Sequence, residues 1–110
     1  MERILKQMSV FRQMDEISGA KRLILNKLVR SSMWGGKHTP LDFVLKGLPQ
    51  QFRTTHAGQK IIEKVLKELQ NNQLIMLMQK RTGKDYAIHI SLNPRKVAEI
   101  QDFLASFEQH

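Results

Sequence analysis

Apolar and polar residues alternate along this chain with two different periods, one typical of helices and the other typical of strands. In residues 3–16, apolar residues recur at helical spacing with charged residues between them, which predicts an amphipathic helix. Ser18-Gly19 interrupts that pattern, either as a break between two helices or only as a bend, and a second helical stripe follows over residues 20–33. Trp34-Gly35-Gly36 is expected to end this second helix, because paired glycines favour a helix C-terminus and a loop.

The middle of the chain predicts two helices joined by a tight turn. Thr39-Pro40 favours the start of a short helix over residues 41–48, since Thr is a good N-cap and Pro is tolerated at the first helical position. We expect residues 50–53 to form the turn and Thr54-Thr55 to cap a long helix that ends near Asn71-Asn72. Its apolar residues repeat every 3.6 positions: Ile61, Ile62, Val65, Leu66 and Leu69.

Two strands and a last helix are predicted after the long helix. Residues 73–79 are nearly all apolar, and residues 86–92 alternate between apolar and polar, which is typical of a half-buried strand. Gly83, in the polar segment between them, predicts a hairpin tip. Asn93-Pro94 ends the sheet and opens a helix over residues 94–108.

The size and composition indicate a single globular domain. A chain of 110 residues can form one modest core, and the absence of Cys excludes disulfides, thiolate catalysis and Cys-ligated metals. The predicted fold is mostly α with a small β-hairpin. We divide it into an N-terminal amphipathic helix (1–18), a core (20–92) and a C-terminal helix (94–108).

Positive charge is unevenly distributed. The net charge is +8, and the segment 53–84 carries seven Lys or Arg residues against two Glu residues, a net charge of +5. Residues 93–110 have a net charge of −1. Such an asymmetric basic field favours a polyanionic partner, of which nucleic acid is the most common, although Lys-rich helices also occur simply because they are soluble.

The order of these elements resembles the winged helix-turn-helix family. The resemblance covers about residues 20–92 and rests on three features: the short capped helix, the basic hairpin with a Gly tip, and the anchored junction Leu66-Lys-Glu-Leu69-Gln-Asn-Asn-Gln-Leu74-Ile75. A narrower likeness to small archaeal winged-helix proteins lies in Gly36-Lys37-His38-Thr39, Lys46-Gly47-Leu48-Pro49 and Ser91-Leu92-Asn93-Pro94. The family resemblance implies a recognition helix at about residues 55–71 and a wing that grips the flanking backbone.

The family resemblance implies that residues of the recognition helix and of the wing contact DNA. Gln59 is suited to adenine, and Lys60 to guanine acceptors or phosphates. The alternative is that all these side chains only solvate the surface. The candidate residues are Arg53, Thr54, Thr55, His56, Gln59, Lys60, Lys64, Lys80, Arg81 and Lys84.

Two residues of the long helix need a separate explanation. Gly58 costs ~1 kcal/mol relative to Ala inside a helix, so we expect another backbone to approach it closely, and the helix at 41–48 is a better candidate than DNA. Glu63 would repel phosphate unless it pairs with Lys60 or Lys67, or accepts a hydrogen bond from a cytosine amino group.

No enzyme, cofactor or metal site is expected. The four histidines (His38, His56, His89 and His110) lie on different elements without metal-ligand spacing, and the acidic residues form no recognisable pair. The N-terminus lacks a signal-peptide core, and no segment approaches the length of a membrane span, so a cytoplasmic location is expected.

The terminal helices predict a homodimer. Winged-helix regulators often dimerise through flanking helices, and a symmetric dimer matches a palindromic site. The alternative is that both helices pack back on their own core. The proposed interface residues are Phe11, Met14, Phe103 and Phe107.

Taken together, the residues favour a sequence-specific protein that binds double-stranded DNA and regulates transcription. The rival interpretation is a winged-helix module that binds another protein, which an exposed apolar patch on the recognition face would favour. Binding to RNA or single-stranded DNA is disfavoured because few exposed aromatic residues are available for base stacking.

Overall fold

The computed structural model describes residues 2–107, and the side chains of residues 15–107. Within this part the chain is mostly helical with a small three-stranded antiparallel sheet, an arrangement compatible with a winged-helix fold. The elements are α1 (Glu2–Arg30), β1 (Thr39–Pro40), α2 (Leu41–Leu45), α3 (Gln50–Thr54), α4 (His56–Asn71), β2 (Ile75–Thr82), β3 (Asp85–Leu92), a 3₁₀ turn (Pro94–Lys96) and α5 (Val97–Ala105).

The first helix is continuous, so a break at Ser18-Gly19, one of the two predicted alternatives, is wrong. α1 runs through both residues and ends at Arg30, a few residues before the predicted end. Its C-terminal half is anchored in the core, where Ala20, Ile24 and Leu25 are fully buried. Packing of this apolar face outweighs the ~1 kcal/mol that a glycine costs in a helix.

The helix-turn-helix differs in detail from the sequence prediction. Residues 50–53, expected as a turn, belong to the short helix α3, which ends at Thr54 and has Pro49 at its N-cap position. Thr39 does not cap α2: it is buried in β1, and Pro40 occupies the N-cap position without a side-chain hydrogen bond. Thr55 caps α4 as predicted, since its side chain accepts a hydrogen bond from the Gly58 N–H.

The sheet has the order β1-β3-β2, which makes β3 the central strand. The predicted hairpin is confirmed, with β2 and β3 in register from Ile75 opposite Leu92 to Thr82 opposite Asp85. Gly83 has a φ of +64°, the left-handed conformation that a tight turn requires. The sequence did not predict β1, which pairs with β3 through Thr39 and Pro40.

The core lies between α1, α4 and the base of the sheet. Ile90 and Leu92 of β3 are fully buried, whereas Ile88 is 46% exposed and Tyr86 is 66% exposed on the same face of the strand. The hairpin therefore extends beyond the core and projects as a wing. Other core residues include Val44, Phe52, Ile62, Val65, Leu69 and Ile100.

The C-terminal helix packs on its own chain. Ile100 is fully buried, and Phe103 is partly buried against the core. Phe107 lies edge-on to Phe103, with ring centroids 5.2 Å apart, and the Arg22 guanidinium lies 5.1 Å from the centre of the Phe107 ring. These contacts favour the intramolecular alternative for Phe103 and Phe107. The side chains of Phe11 and Met14 lie outside the described residues.

None of the helices in the described range, residues 2–107, combines the length and the apolar character that crossing a membrane requires.

Candidate nucleic-acid interface

The exposed face of α4 carries a stripe of three lysines. Lys60, Lys64 and Lys67 are all exposed, and their spacing of four and three residues places them on one face of the helix. The opposite face is buried through Ile62, Val65 and Leu69. Lys67 was not among the predicted site residues, although the same spacing in the sequence would have identified it.

The two acidic residues of α4 lie on either side of this lysine stripe. Glu63 lines a groove of about 490 Å³ between α4 and α2, together with Asp42 and Gln59. Glu68 forms an ion pair with Lys21 of α1, with 3.0 Å between Nζ and Oε2. Glu63 is exposed and lies one turn from both Lys60 and Lys67, so it borders the stripe on the side of α2.

The N-terminal end of α4 is held by hydrogen bonds to α3. The Thr55 hydroxyl donates to the Gln51 carbonyl oxygen at 2.6 Å and accepts from the Gly58 N–H at 2.9 Å. The Thr54 hydroxyl, at the end of α3, donates to the Gln50 carbonyl oxygen of the same helix at 3.0 Å. Both predicted contact residues therefore have structural partners. A phosphate would have to compete for their hydroxyl groups.

The other predicted residues at this end are exposed. Arg53 and His56 both face solvent, one on each side of the Thr54-Thr55 junction. The Gln59 side-chain amide donates to the Arg53 carbonyl oxygen at 3.1 Å. This bond orients Gln59 toward the groove beside α2, on the edge of the lysine stripe.

Gly58 lies where α3 and α4 approach each other closely. A Cβ atom at this position would collide with the Gln51 carbonyl oxygen and would lie 2.6 Å from the Phe52 Cα. The prediction that another backbone approaches Gly58 is correct, but that backbone belongs to α3 and not to the helix at 41–48. The sequence could not show this, because residues 50–53 were expected to form a turn.

The wing carries positive charge on both of its faces. Lys80 and Arg81 are adjacent on β2, so their side chains point to opposite faces of the hairpin. Arg81 Nε donates to the Gly83 carbonyl oxygen at 3.3 Å, which holds part of the guanidinium against the turn. Lys84 lies in the turn itself, and all three basic residues are exposed.

Comparisons with known proteins bear on the fold. No protein-family model matches the sequence, and the search of curated proteins finds no match. The crystal structure of the circadian clock associated protein Pex from Anabaena is similar to this chain, with a TM-score of 0.56 and 15% sequence identity. The similarity covers 84% of this chain and 76% of that one. At this identity it shows a shared fold and no more.

Proposed function

We propose that this protein binds double-stranded DNA in a sequence-specific manner and regulates transcription. The observation that carries the proposal is the stripe of Lys60, Lys64 and Lys67 on α4, the long second helix of the predicted helix-turn-helix. In this architecture that helix enters the major groove, and the adjoining wing contacts the flanking backbone. Lysines spaced along one exposed face can contact successive phosphates or guanine edges.

The same stripe weighs against the rival class, a protein-interaction module. An exposed apolar patch on this face of α4 would favour that class, because the buried centres of protein interfaces are depleted in charge. Lys60, Lys64 and Lys67 occupy this face instead. The half-buried Leu66 lies to one side of the stripe, in the groove facing α2.

Selection of bound sequences from a random duplex pool, at two salt concentrations, tests this function. We expect a defined sequence to be enriched at both, because base-edge contacts persist when the phosphate contribution is screened. Equal retention of all duplexes would indicate non-specific binding. No retention of any duplex at about 50 mM salt would reject the proposal, since electrostatic attraction is strong at that ionic strength.

Affinity for duplex DNA should depend steeply on salt. With about four to six Lys or Arg side chains near phosphates, the logarithm of the affinity should fall with the logarithm of the salt concentration at a slope of roughly −4 to −5 per protomer. Fluorescence anisotropy of a labelled duplex, measured over a range of salt concentrations, gives this slope directly. A slope near zero would contradict contact with the phosphate backbone.

We further propose that the active form is a homodimer held by the N-terminal part of α1. Phe11 and Met14 are large apolar residues three positions apart in the amphipathic N-terminal segment of the sequence. Burying an apolar side chain of this size contributes about 1.5–3 kcal/mol. Phe103 and Phe107 have contacts within their own chain, so the proposal rests on Phe11 and Met14.

Sedimentation equilibrium of the full-length chain tests the dimer. We expect a species of twice the 12.8 kDa chain mass at micromolar concentration, and we expect Phe11→Ser with Met14→Ser to convert it to monomer. Phe107→Ser serves as the matched control, since its contacts are intramolecular and its loss should leave the dimer intact. A single monomeric species of the unmodified chain would exclude the dimer at that concentration.

A further inference from the structure

Two histidines that are distant in the sequence meet beside the sheet. His38 immediately precedes β1, and His89 lies on β3 opposite Pro40. Their Nδ1 atoms are 2.8 Å apart, and the rings lie edge-on with centroids 4.8 Å apart and an interplanar angle of 73°. One Nδ1 must donate and the other must accept, so the bond forms only while one of the rings lacks a proton on Nδ1.

The surroundings of the pair are basic. Lys80 of β2 lies on the same face of the hairpin as His89, because it is two residues from Met78, the cross-strand partner of His89. Lys37 adjoins His38 in the chain, and Asp42 of α2 faces the groove beside α4 instead. Partial burial is the main cause that lowers the pKa of His38 below its usual value of 6.5, and the charges of Lys80 and His89 lower that pKa further.

We propose that His38 and His89 form an acid-sensitive clasp that holds the segment leading into α2 against the central strand of the sheet. Protonation of both rings removes the acceptor and places two positive charges in contact beside Lys80. β1 is only two residues long and has few backbone hydrogen bonds to compensate. The edge of the sheet therefore opens in acid, while α4 and the β2–β3 hairpin stay in place.

The direction of the pH effect follows from the lowered pKa of His38. Below pH 6.5 the unfolded chain takes up a proton on this ring more readily than the folded chain does. The contribution of the clasp to stability is thus present above about pH 6.5 and is lost as the pH falls below that value.

Hydrogen exchange of the backbone amides in residues 37–41 tests the clasp. After correction for the intrinsic pH dependence of exchange, protection of these amides should fall several-fold between about pH 7.5 and about pH 5.5, while the amides of α4 stay protected. In His38→Asn the effect should disappear, because an amide can bond to His89 at either pH. The matched control His56→Asn removes an exposed histidine and should respond as the unmodified chain does.

A second measurement uses the unmodified protein. Imidazole ¹⁵N spectra at about pH 7.5 should show one ring protonated on Nδ1 and the other unprotonated on Nδ1. His89→Asn should abolish the pH response of residues 37–41 just as His38→Asn does. Equal protection at the two pH values in the unmodified chain, or a response that survives in both variants, would overturn the proposal.

Discussion

Replacing Gly58 with alanine should destabilise the protein by about 2–4 kcal/mol, even though alanine is the better helix former by ~1 kcal/mol. The added Cβ would collide with the Gln51 carbonyl oxygen and would lie 2.6 Å from the Phe52 Cα. Both obstacles are backbone atoms, and α3 cannot shift easily because the Phe52 side chain is buried in the core. Urea denaturation, followed by circular dichroism, measures the loss.

Gly19→Ala is the matched control for this substitution. Gly19 also lies inside a helix, but a Cβ there would have no atom within 4 Å. The same change of residue should therefore stabilise the protein by about 0.5–1 kcal/mol through helix propensity alone. Equal stability of the two variants would contradict the close contact between α3 and α4 at Gly58.

Removing the lysine stripe should abolish most of the affinity for duplex DNA. If each of Lys60, Lys64 and Lys67 meets one phosphate, replacing all three with alanine should make the salt slope about 2.7 units shallower and weaken binding roughly several hundredfold at about 0.1 M salt. All three side chains are exposed, so the midpoint of thermal unfolding should change little. Fluorescence anisotropy and a melting curve measure the two effects.

A second triple variant separates position from total charge. Lys37→Ala, Arg95→Ala and Lys96→Ala also remove three positive charges, but from positions outside α4 and the wing tip. Lys96 is already paired with Glu99, with 3.1 Å between Nζ and Oε1. We expect this variant to lose less than about tenfold in affinity, since remote charges act only through the screened long-range field. Equal losses in the two variants would show that net charge, and not the stripe, drives binding.

The elements that depend on local patterns could be predicted from the sequence. The apolar period of α4, the cap at Thr55 and the glycine in the hairpin turn all act within a few residues, and the structure contains each of them. β1 could not be predicted in this way. It consists of two residues, Thr39 and Pro40, and exists only because β3 lies beside it.

In the candidate site, too, only the features that depend on local patterns could be predicted from the sequence. The lysine stripe is a local property of one helix, and its spacing is visible in the sequence. The hydrogen bonds that the Thr54 and Thr55 hydroxyl groups donate could not be predicted. Their acceptors are carbonyl groups of α3, and the proline and polar residues of that segment did not indicate a helix. The contact between His38 and His89 spans 51 positions and depends on the pairing of the outer strand.

The positions of the two largest aromatic chromophores give the molecule separate optical reporters. The chain has one tryptophan and one tyrosine. Trp34 is half-buried at the base of the sheet, where it forms a bridge with Leu92, whereas Tyr86 lies in solvent near the tip of the wing. Indole emission therefore reports on the joint between α1 and the sheet. A fluorine label introduced through tyrosine reports on the wing alone, without any substitution in the chain.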